Sequence, residues 1–281
     1  MKSFAAGMAK PGPARRRYHA GRELPLILLP PSEGKASGGL GPAWAPGTMA
    51  VDLDEQRIQV MAALLRAMRG SAVARAKLLG VKGGALEAAT EADRTLESAR
   101  TMRAIDRYTG VLYDALDARS LSSAHRRRLD AGVVIVSGLW GAVAPADPIP
   151  AYKLKMGASL PRLGKLSTWW RADLSARLLE RARGRPVWNL LPNEHASAWR
   201  APEDLNQYTV RFLERREDGA LTAVSHWNKF LKGALVRLLL AAPDAGPDDL
   251  TRWEHPAGFR YEPAITERHA GITLLSFVQG G

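Results

Sequence analysis

The sequence predicts an α/β protein of α+β character, with a central mixed sheet flanked by helices, and three observations predict it. Short apolar runs at Leu24–Leu29, Val133–Val136 and Val187–Leu191 have the length of strands, and each stops at a polar turn. Between them lie longer stretches with apolar residues at three- and four-residue steps, the pattern of amphipathic helices. No segment repeats at a fixed period, which argues against a solenoid. Strands interleaved with helices point to a layered sheet-and-helix body.

The first 22 residues carry Lys2, Lys10, Arg15, Arg16, Arg17 and Arg22 with no acid and no continuous apolar stretch of the secretory type. Residues 1–23 are read as a basic, flexible arm ahead of one domain spanning 24–281. The first strand ends in Pro30-Pro31-Ser32-Glu33-Gly34-Lys35, and a glycine- and proline-rich surface loop runs to Gly47. A helical segment then covers 52–106. Ile58, Met61, Leu64, Leu65 and Met68 mark its first helix, with Asp52 or Asp54 as cap and an end near Gly70.

AVARAKLLGVKGGALEAATEAD reads as a helix, a glycine turn at Gly80–Gly84 and a second helix from about Ala85. This is the grammar of a helix-hairpin-helix, whose turn offers backbone N–H groups to a phosphate. Gly80, Lys82, Gly83 and Gly84 are its candidate DNA contacts, although two helices joined by a glycine turn also occur widely without that role. A further helix is expected over Glu97–Ile105, then a bend at RYTGVLYDAL. After Val133–Val136, a long loop carries Trp140, Asp147, Tyr152, Lys153 and Lys155 to Gly157. A helix over 165–183 follows, then the strand before Asn193-Glu194-His195, a hairpin of Tyr208–Leu213 and Leu221–Ser225, a helix at Asn228–Leu240, and a last strand near Ile272–Val278.

The 281 residues are 46% apolar and 24% charged, an ordinary globular balance with no apolar run long enough for a membrane span. No cysteine is present, which excludes disulfides, thiolate metal sites and cysteine nucleophiles and is compatible with the cytoplasmic location expected here. The formal net charge of +12 suits a polyanion partner, with about half of the excess in the arm. No metal-ligand spacing is evident, His226 and His255 read as ordinary imidazoles, and no cofactor is expected. Lys35 precedes its glycines, so the loop at 34–41 is not a phosphate-binding P-loop, and Ser137-Gly138 lacks the GxSxG of a hydrolase elbow.

Three polar strand ends, Ser32–Lys35, Ser137-Gly138 and Asn193–His195, are expected to converge, because open α/β sheets gather ligand-binding groups beyond strand ends. Polar turns end strands in every such protein; the nearby lysines tip the reading toward a site.

LLPPSEGK, YTGVLYDAL, VSGLWGAVAPADPIPAYKLKMG, the NEH segment and SHWNKFLKGALVR, in this order and approximate spacing, resemble the YaaA family of peroxide-stress proteins, its actinobacterial branch in particular. The resemblance covers residues 25 to about 240. Positions matching the family pattern are Lys35, Tyr108, Gly110, Tyr113, Ser137, Gly138, Gly141, Pro145, Asp147, Tyr152, Met156, Gly157, Glu194, Lys229 and Gly233. His195 stands where the family usually has Tyr or Phe, Lys232 where it usually has Arg, and Trp227-Asn228 is uncommon. The resemblance implies an unusual α/β fold, a positively charged cleft, a helix-hairpin-helix, binding to duplex DNA and a link to lowering free iron under peroxide stress.

Two functions from different classes follow. One is a DNA-binding stress protein without turnover. The other is an enzyme on a nucleotide-like or phosphorylated small molecule, by N-glycosidic or phosphate-ester chemistry, with Glu194, Lys35, Lys229 and Tyr113 as its catalytic candidates. Ser32, Tyr108, Ser137, Gly138, Trp140, Tyr152, Lys153, Asn193 and Lys232 are the candidate ligand contacts, the lysines for an anion and the aromatic rings for base stacking. A scaffold or indirect iron-handling role is the blander third possibility. The expected partner is therefore duplex DNA or a small anionic nucleotide-like ligand and not a membrane, and no oligomeric state is assigned.

Overall fold

The structure, a computed structural model, describes residues 24–224, 227–253, 255 and 257–279. The predicted basic arm, Ser225 and His226 lie outside the described residues. The chain opens with β1 (Leu26–Leu29), α1 (Asp54–Ala67), α2 (Ala72–Leu79) and α3 (Gly84–Arg94). Next come β2 (Met102–Arg103), α4 (Ala104–Arg107), α5 (Val111–Leu116), α6 (Ser123–Gly132), β3 (Val133–Ser137), β4 (Gly141–Val143) and β5 (Pro148–Ile149). β6 (Ser159–Leu160), β7 (Gly164–Lys165), α7 (Leu166–Trp169), α8 (Arg171–Ala182), β8 (Val187–Asn189) and α9 (Asn193–Ala196) follow. The last part holds β9 (Gln207–Arg215), β10 (Leu221–Ala223), α10 (Asn228–Ala241), β11 (Phe259–Tyr261), β12 (Glu267–His269) and β13 (Ile272–Gln279).

Among the described residues, nine strands make one mixed sheet in the order β11-β13-β9-β8-β1-β3-β4, with β10 on β9 and β12 on β13. β13, β9, β8, β1 and β3 are parallel neighbours, with Ile27 opposite Val133 and Leu28 opposite Asn189. Every residue of β1 and β3 is buried, which is why both read as unbroken apolar runs: helices cover both faces of a parallel sheet. Parallel direction also brings the C-terminal ends of β1, β3 and β8 to one edge, so the three polar strand ends fall side by side.

The core below that edge is rich in tryptophan. Trp140, Trp170 and Trp188 are fully buried, and Trp44 lies 5.3 Å from Trp140, ring to ring. Two buried arginines tie loops to the core through charged hydrogen bonds to carbonyls. Arg57 donates to Trp140 and Ala142 at 3.1 and 2.8 Å, and Arg107 donates to Ala36 and to Gly38, the latter at 2.8 Å.

Four sequence expectations change. Neither Asp52 nor Asp54 caps α1: Leu53 holds the cap position without a side-chain bond, while Asp54 pairs with Arg57 and Asp52 with Arg177. Of the helix expected over Glu97–Ile105, only Ala104 and Ile105 are helical, at the start of α4. Thr101 pairs with Gly41 through the backbone and with the Pro42 carbonyl through its hydroxyl, and Met102–Arg103 pairs with Pro148–Ile149, so tertiary pairing overrides the local pattern. The loop after Ser137 holds β4, because Gly141 turns the chain back at φ 68; an added Cβ there would meet the Trp170 ring at 2.7 Å. The helix over 165–183 divides into α7 and α8, and Trp170, fully buried, takes the core place while Trp169 is only partly covered. The hairpin β9/β10 and the parallel strand β13 form where expected, whereas β11 and β12 are additions. No helix of the described residues is long and apolar enough to cross a membrane.

Candidate functional site

The loop after β1 is held by its own residues. Ser32 Oγ accepts the Thr109 amide hydrogen at 3.0 Å and donates to the Gly34 carbonyl, and the Lys35 backbone bridges to Tyr108. Gly34 is needed for this approach, since a Cβ would lie 2.8 Å from Thr109 Oγ1. Lys35 folds back so that Nζ donates to the Ser32 carbonyl at 2.8 Å and sits 4.3 Å over the Tyr152 ring, with Tyr108 at 5.5 Å. That is a cation–π cage on a partly buried ammonium.

Behind it runs a buried hydroxyl chain. Ser137 Oγ accepts the amide hydrogens of Leu139 and Trp140, both at 3.2 Å, which leaves its own proton for Tyr152 Oη at 2.7 Å. Tyr152 then donates to Tyr108 Oη at 2.9 Å. Burial pushes the Tyr152 phenol up to about 12 and raises Tyr108 and Tyr113, so all three stay protonated at neutral pH. Tyr113 donates to the Pro30 carbonyl at 2.7 Å. Gly138 lies under the Lys155 backbone, 2.8 Å from where a Cβ would stand, and so lets residues 152–157 cross over the strand ends.

Burial, reinforced by Lys153, brings the Lys35 ammonium down to about 7. Sequence reasoning missed the group that opposes this: Asp93, fully buried on α3. Its Oδ1 accepts the Lys153 amide hydrogen at 2.8 Å while Oδ2 has no hydrogen-bond partner among the described residues, and burial carries its carboxyl up to about 7 against the pull of that amide and of Lys35. The available signal was its place on the buried face of α3, three and seven residues after Thr90 and Leu86. A charged residue at a core position calls for a search for its partner.

Lys153 and Lys155 hold Glu33 at 3.1 and 3.8 Å, and the Lys153 hydrogen bond keeps the Glu33 carboxyl below its ordinary range. Among the described residues Glu194 pairs with no lysine. It accepts the Gly157 amide hydrogen at 2.6 Å, and a Cβ at Gly157 would stand 3.0 Å from its carboxylate, a tight contact that the glutamate must shift to relieve. Lys229 is exposed in the first turn of α10.

These groups line two chambers that share Pro31, Ser32, Glu33, Glu194 and His195. The smaller, about 100 Å³, is walled by Lys35, Tyr152, Lys153 and Lys155; the larger, about 420 Å³, by Pro30, Thr109, Val111, Leu112, Tyr113, Pro192 and Lys229. Lys35, Glu194 and Lys229 therefore converge on one cleft. A separate cavity of about 350 Å³ lies at the opposite strand ends, by Arg185, Asp204 and Tyr208, away from these groups.

Other sequence candidates fall elsewhere. Trp140 is fully buried and offers no face for stacking, and Ser137 is spent on the hydroxyl chain. The rings of Tyr108, Tyr113 and Tyr152 are buried as well, so stacking on their open faces is replaced by hydrogen bonding and the lysine cage. Lys232 donates to the Leu190 carbonyl at 2.9 Å, its ammonium brought down to about 8 by burial, and Asn193 is exposed on α9 outside both chamber walls.

The glycine turn has its own geometry. Gly80 ends α2 at φ 67, Gly83 stands before α3 at φ 57, and Lys82 between them is exposed. A Cβ on Gly80 would lie 3.5 Å from Lys155 Nζ, so the turn abuts the rim of the smaller chamber.

Comparison with known proteins settles kinship. A family model described as peroxide stress protein YaaA matches residues 26–265. The chain belongs to the YaaA family. It is 38% identical over 242 residues to a UPF0246 protein of Streptomyces coelicolor, an alignment covering 84% of this chain and 92% of the relative. It is 36% identical over 228 residues to one from Corynebacterium glutamicum (76% and 84%) and 34% identical over 221 residues to one from Corynebacterium efficiens (78% and 86%). The match to the YaaA model takes in the whole cleft, from the loop after β1 to Lys229.

Proposed function

We propose that this YaaA-family chain binds duplex DNA through a basic face made of the glycine turn and the adjoining cleft, in the peroxide-stress setting for which the family is named. Lys155 is the observation that carries the reading. Its ammonium stands beside Gly80 of the turn on one side and Glu33 of the chamber on the other, so Lys155 links the turn that carries Lys82 to the chamber it shares with Lys153, whose wall residues Glu33 and Glu194 also line the chamber of Lys229. Backbone N–H groups at the start of α3 and lysines along the path suit phosphate oxygens, whose neutralisation releases counterions. Lys82→Glu is expected to weaken duplex affinity at least fivefold, measured by fluorescence anisotropy, with folding unchanged because the residue is exposed. Unchanged affinity would remove the turn from the interface.

The shape of the larger chamber favours a second reading. At about 420 Å³, with apolar walls and Glu194 fixed at its edge by Gly157, it has the size and lining of a small-molecule pocket. In that reading the cleft acts on a nucleotide-like or phosphorylated compound, with Lys35 and Lys229 countering negative charge and Glu194 moving a proton.

A further inference from the structure

His195 stands in the wall common to both chambers, on the one-and-a-bit turns of α9 beside Glu194. Both of its ring nitrogens are shielded from solvent, and neither has a hydrogen-bond partner among the described residues. The neighbouring polar groups are engaged: Ser32 with Thr109, Lys35 with the Ser32 carbonyl, Glu33 with Lys153, Glu194 with Gly157, Tyr113 with Pro30. An imidazole shielded on both nitrogens is costly unless something else satisfies it, and what adjoins it here is a cavity on either side.

The two cavities differ in chemistry. On one side Lys35, Lys153 and Lys155 face Glu33 alone as a wall anion besides Glu194; on the other, Pro30, Val111, Leu112, Tyr113 and Pro192 make a mostly apolar box with Lys229 at its edge. A ligand spanning both needs an anionic end and a flat, mainly apolar end, with a polar link between them at His195.

We propose that the cleft seats a single nucleotide unit, phosphate toward the lysines and base in the apolar box, and that His195 contacts the phosphate or sugar and takes up a proton as the anion arrives. This rests on the second reading of the cleft, as a pocket for nucleotide-like chemistry, and names its ligand class and a contact residue. Charged groups facing the imidazole are Glu194 on its own helix, Glu33 and Lys35 after β1, Lys153 and Lys155 from the crossing segment, and Lys229 from α10. In the free protein, burial holds the imidazole below its ordinary range against the opposing pull of Glu194, so it is neutral at pH 7. A bound anion favours the charged ring. Affinity must then rise as pH falls through the window between the bound and free values, about tenfold for each unit by which binding raises the imidazole.

The test is calorimetric titration of the full chain with a nucleoside 5′-phosphate methyl ester, whose single charge is constant across the pH range. Between about pH 8.5 and about pH 5.5 the wild type is expected to bind the ester about tenfold more tightly at the acid end. Proton uptake should appear as a dependence of the heat on the buffer's ionisation enthalpy. His195→Phe and His195→Gln should take up fewer protons than the wild type and show a shallower pH profile, keeping only the share that Lys35, with its ammonium at about 7 in the same chamber wall, contributes. Parallel titrations with a blunt duplex and with one carrying a single unpaired nucleotide separate the sources: preference for the overhang, lost in His195→Phe, marks a nucleotide within DNA, and tight binding of the ester without that preference marks a free one. Wild-type binding without proton uptake, or variants whose proton uptake and pH profile equal those of the wild type, overturns the role of His195. Duplex binding with no response to the ester or the overhang overturns the nucleotide seat and leaves the DNA reading standing; absence of binding to all probes defeats both.

Discussion

Gly233→Ala is expected to destabilise the protein by about 3 kcal/mol, although the same change in an ordinary exposed helix stabilises by about 1 kcal/mol. The sign reverses because α10 packs backbone to backbone on α5 at this point. A Cβ on Gly233 would lie 2.3 Å from the Leu112 carbonyl oxygen, 2.8 Å from Ala115 Cβ and 3.0 Å from the Leu116 amide nitrogen, and two of these three are backbone atoms that cannot swing aside. Relief requires the helices to part. Lys229 is one turn earlier on the same helix face and Tyr113 is on α5, so parting them widens the larger chamber between its cation and its aromatic wall. Denaturant unfolding should therefore show a lower midpoint, and anion affinity should fall with it. A variant as stable as wild type would mean the helices do not touch in this way.

Lys35→Met is expected to act in opposite directions on stability and on binding. Folding brings the lysine from its ordinary value of 10.5 to about 7, so the folded chain binds fewer protons than the unfolded one between those values. Stability from this group therefore rises with pH across that window, and its cost is greatest at pH 7 and below. Methionine keeps the volume and removes the charge, at the expense of one bond to the Ser32 carbonyl worth about 1 kcal/mol. The net expectation is a gain of about 2 kcal/mol or more at pH 7, with the rise in stability above pH 7 abolished. Asp93 titrates with the other sign: its raised carboxyl gives stability that is lost as pH climbs from about 4 to about 7. Anion binding should drop in Lys35→Met, because a partly buried cation kept at a net cost to folding and lining the cleft is placed to meet an anion. Denaturant titrations at several pH values, paired with binding assays, check both halves. A less stable Lys35→Met protein would show the ammonium to be a structural tie.

How much of this was legible follows the physics of each signal. β1, β3 and β8 could be read because a strand buried on both faces is a run of apolar residues, and a run is visible without partners. The convergence of Ser32–Lys35 with Glu194 followed once the strands were parallel neighbours. Lys229 came within reach only through the packing of α10 on α5, which sequence pattern does not carry. Trp140 was misread because a tryptophan after a strand looks the same whether it fills the core or faces a ligand; only its complete burial distinguishes the two. Glu194 could be named as a candidate from its place after a strand, but the backbone amide of Gly157 that holds it comes from a segment 37 residues away, and no sequence pattern marks that contact. Asp93 and the unpartnered nitrogens of His195 are properties of three-dimensional surroundings: the first was passed over on a helix of mixed polarity, and the second has no counterpart in sequence.

The central claim is that the cleft and the glycine turn share one anion-reading surface, and the salt dependence of duplex binding tests it most directly. Lys82, Lys155 and Lys229 are changed together to glutamine in the full chain, so that the basic arm contributes equally to both proteins and cancels from the comparison. Each phosphate that the variant no longer neutralises should flatten the slope of log affinity against log salt by about 0.9. The account predicts a slope shallower by about 2 to 3 in the triple variant, with weaker binding at every salt concentration. Parallel lines of equal slope would contradict it and place the phosphate contacts on other basic residues.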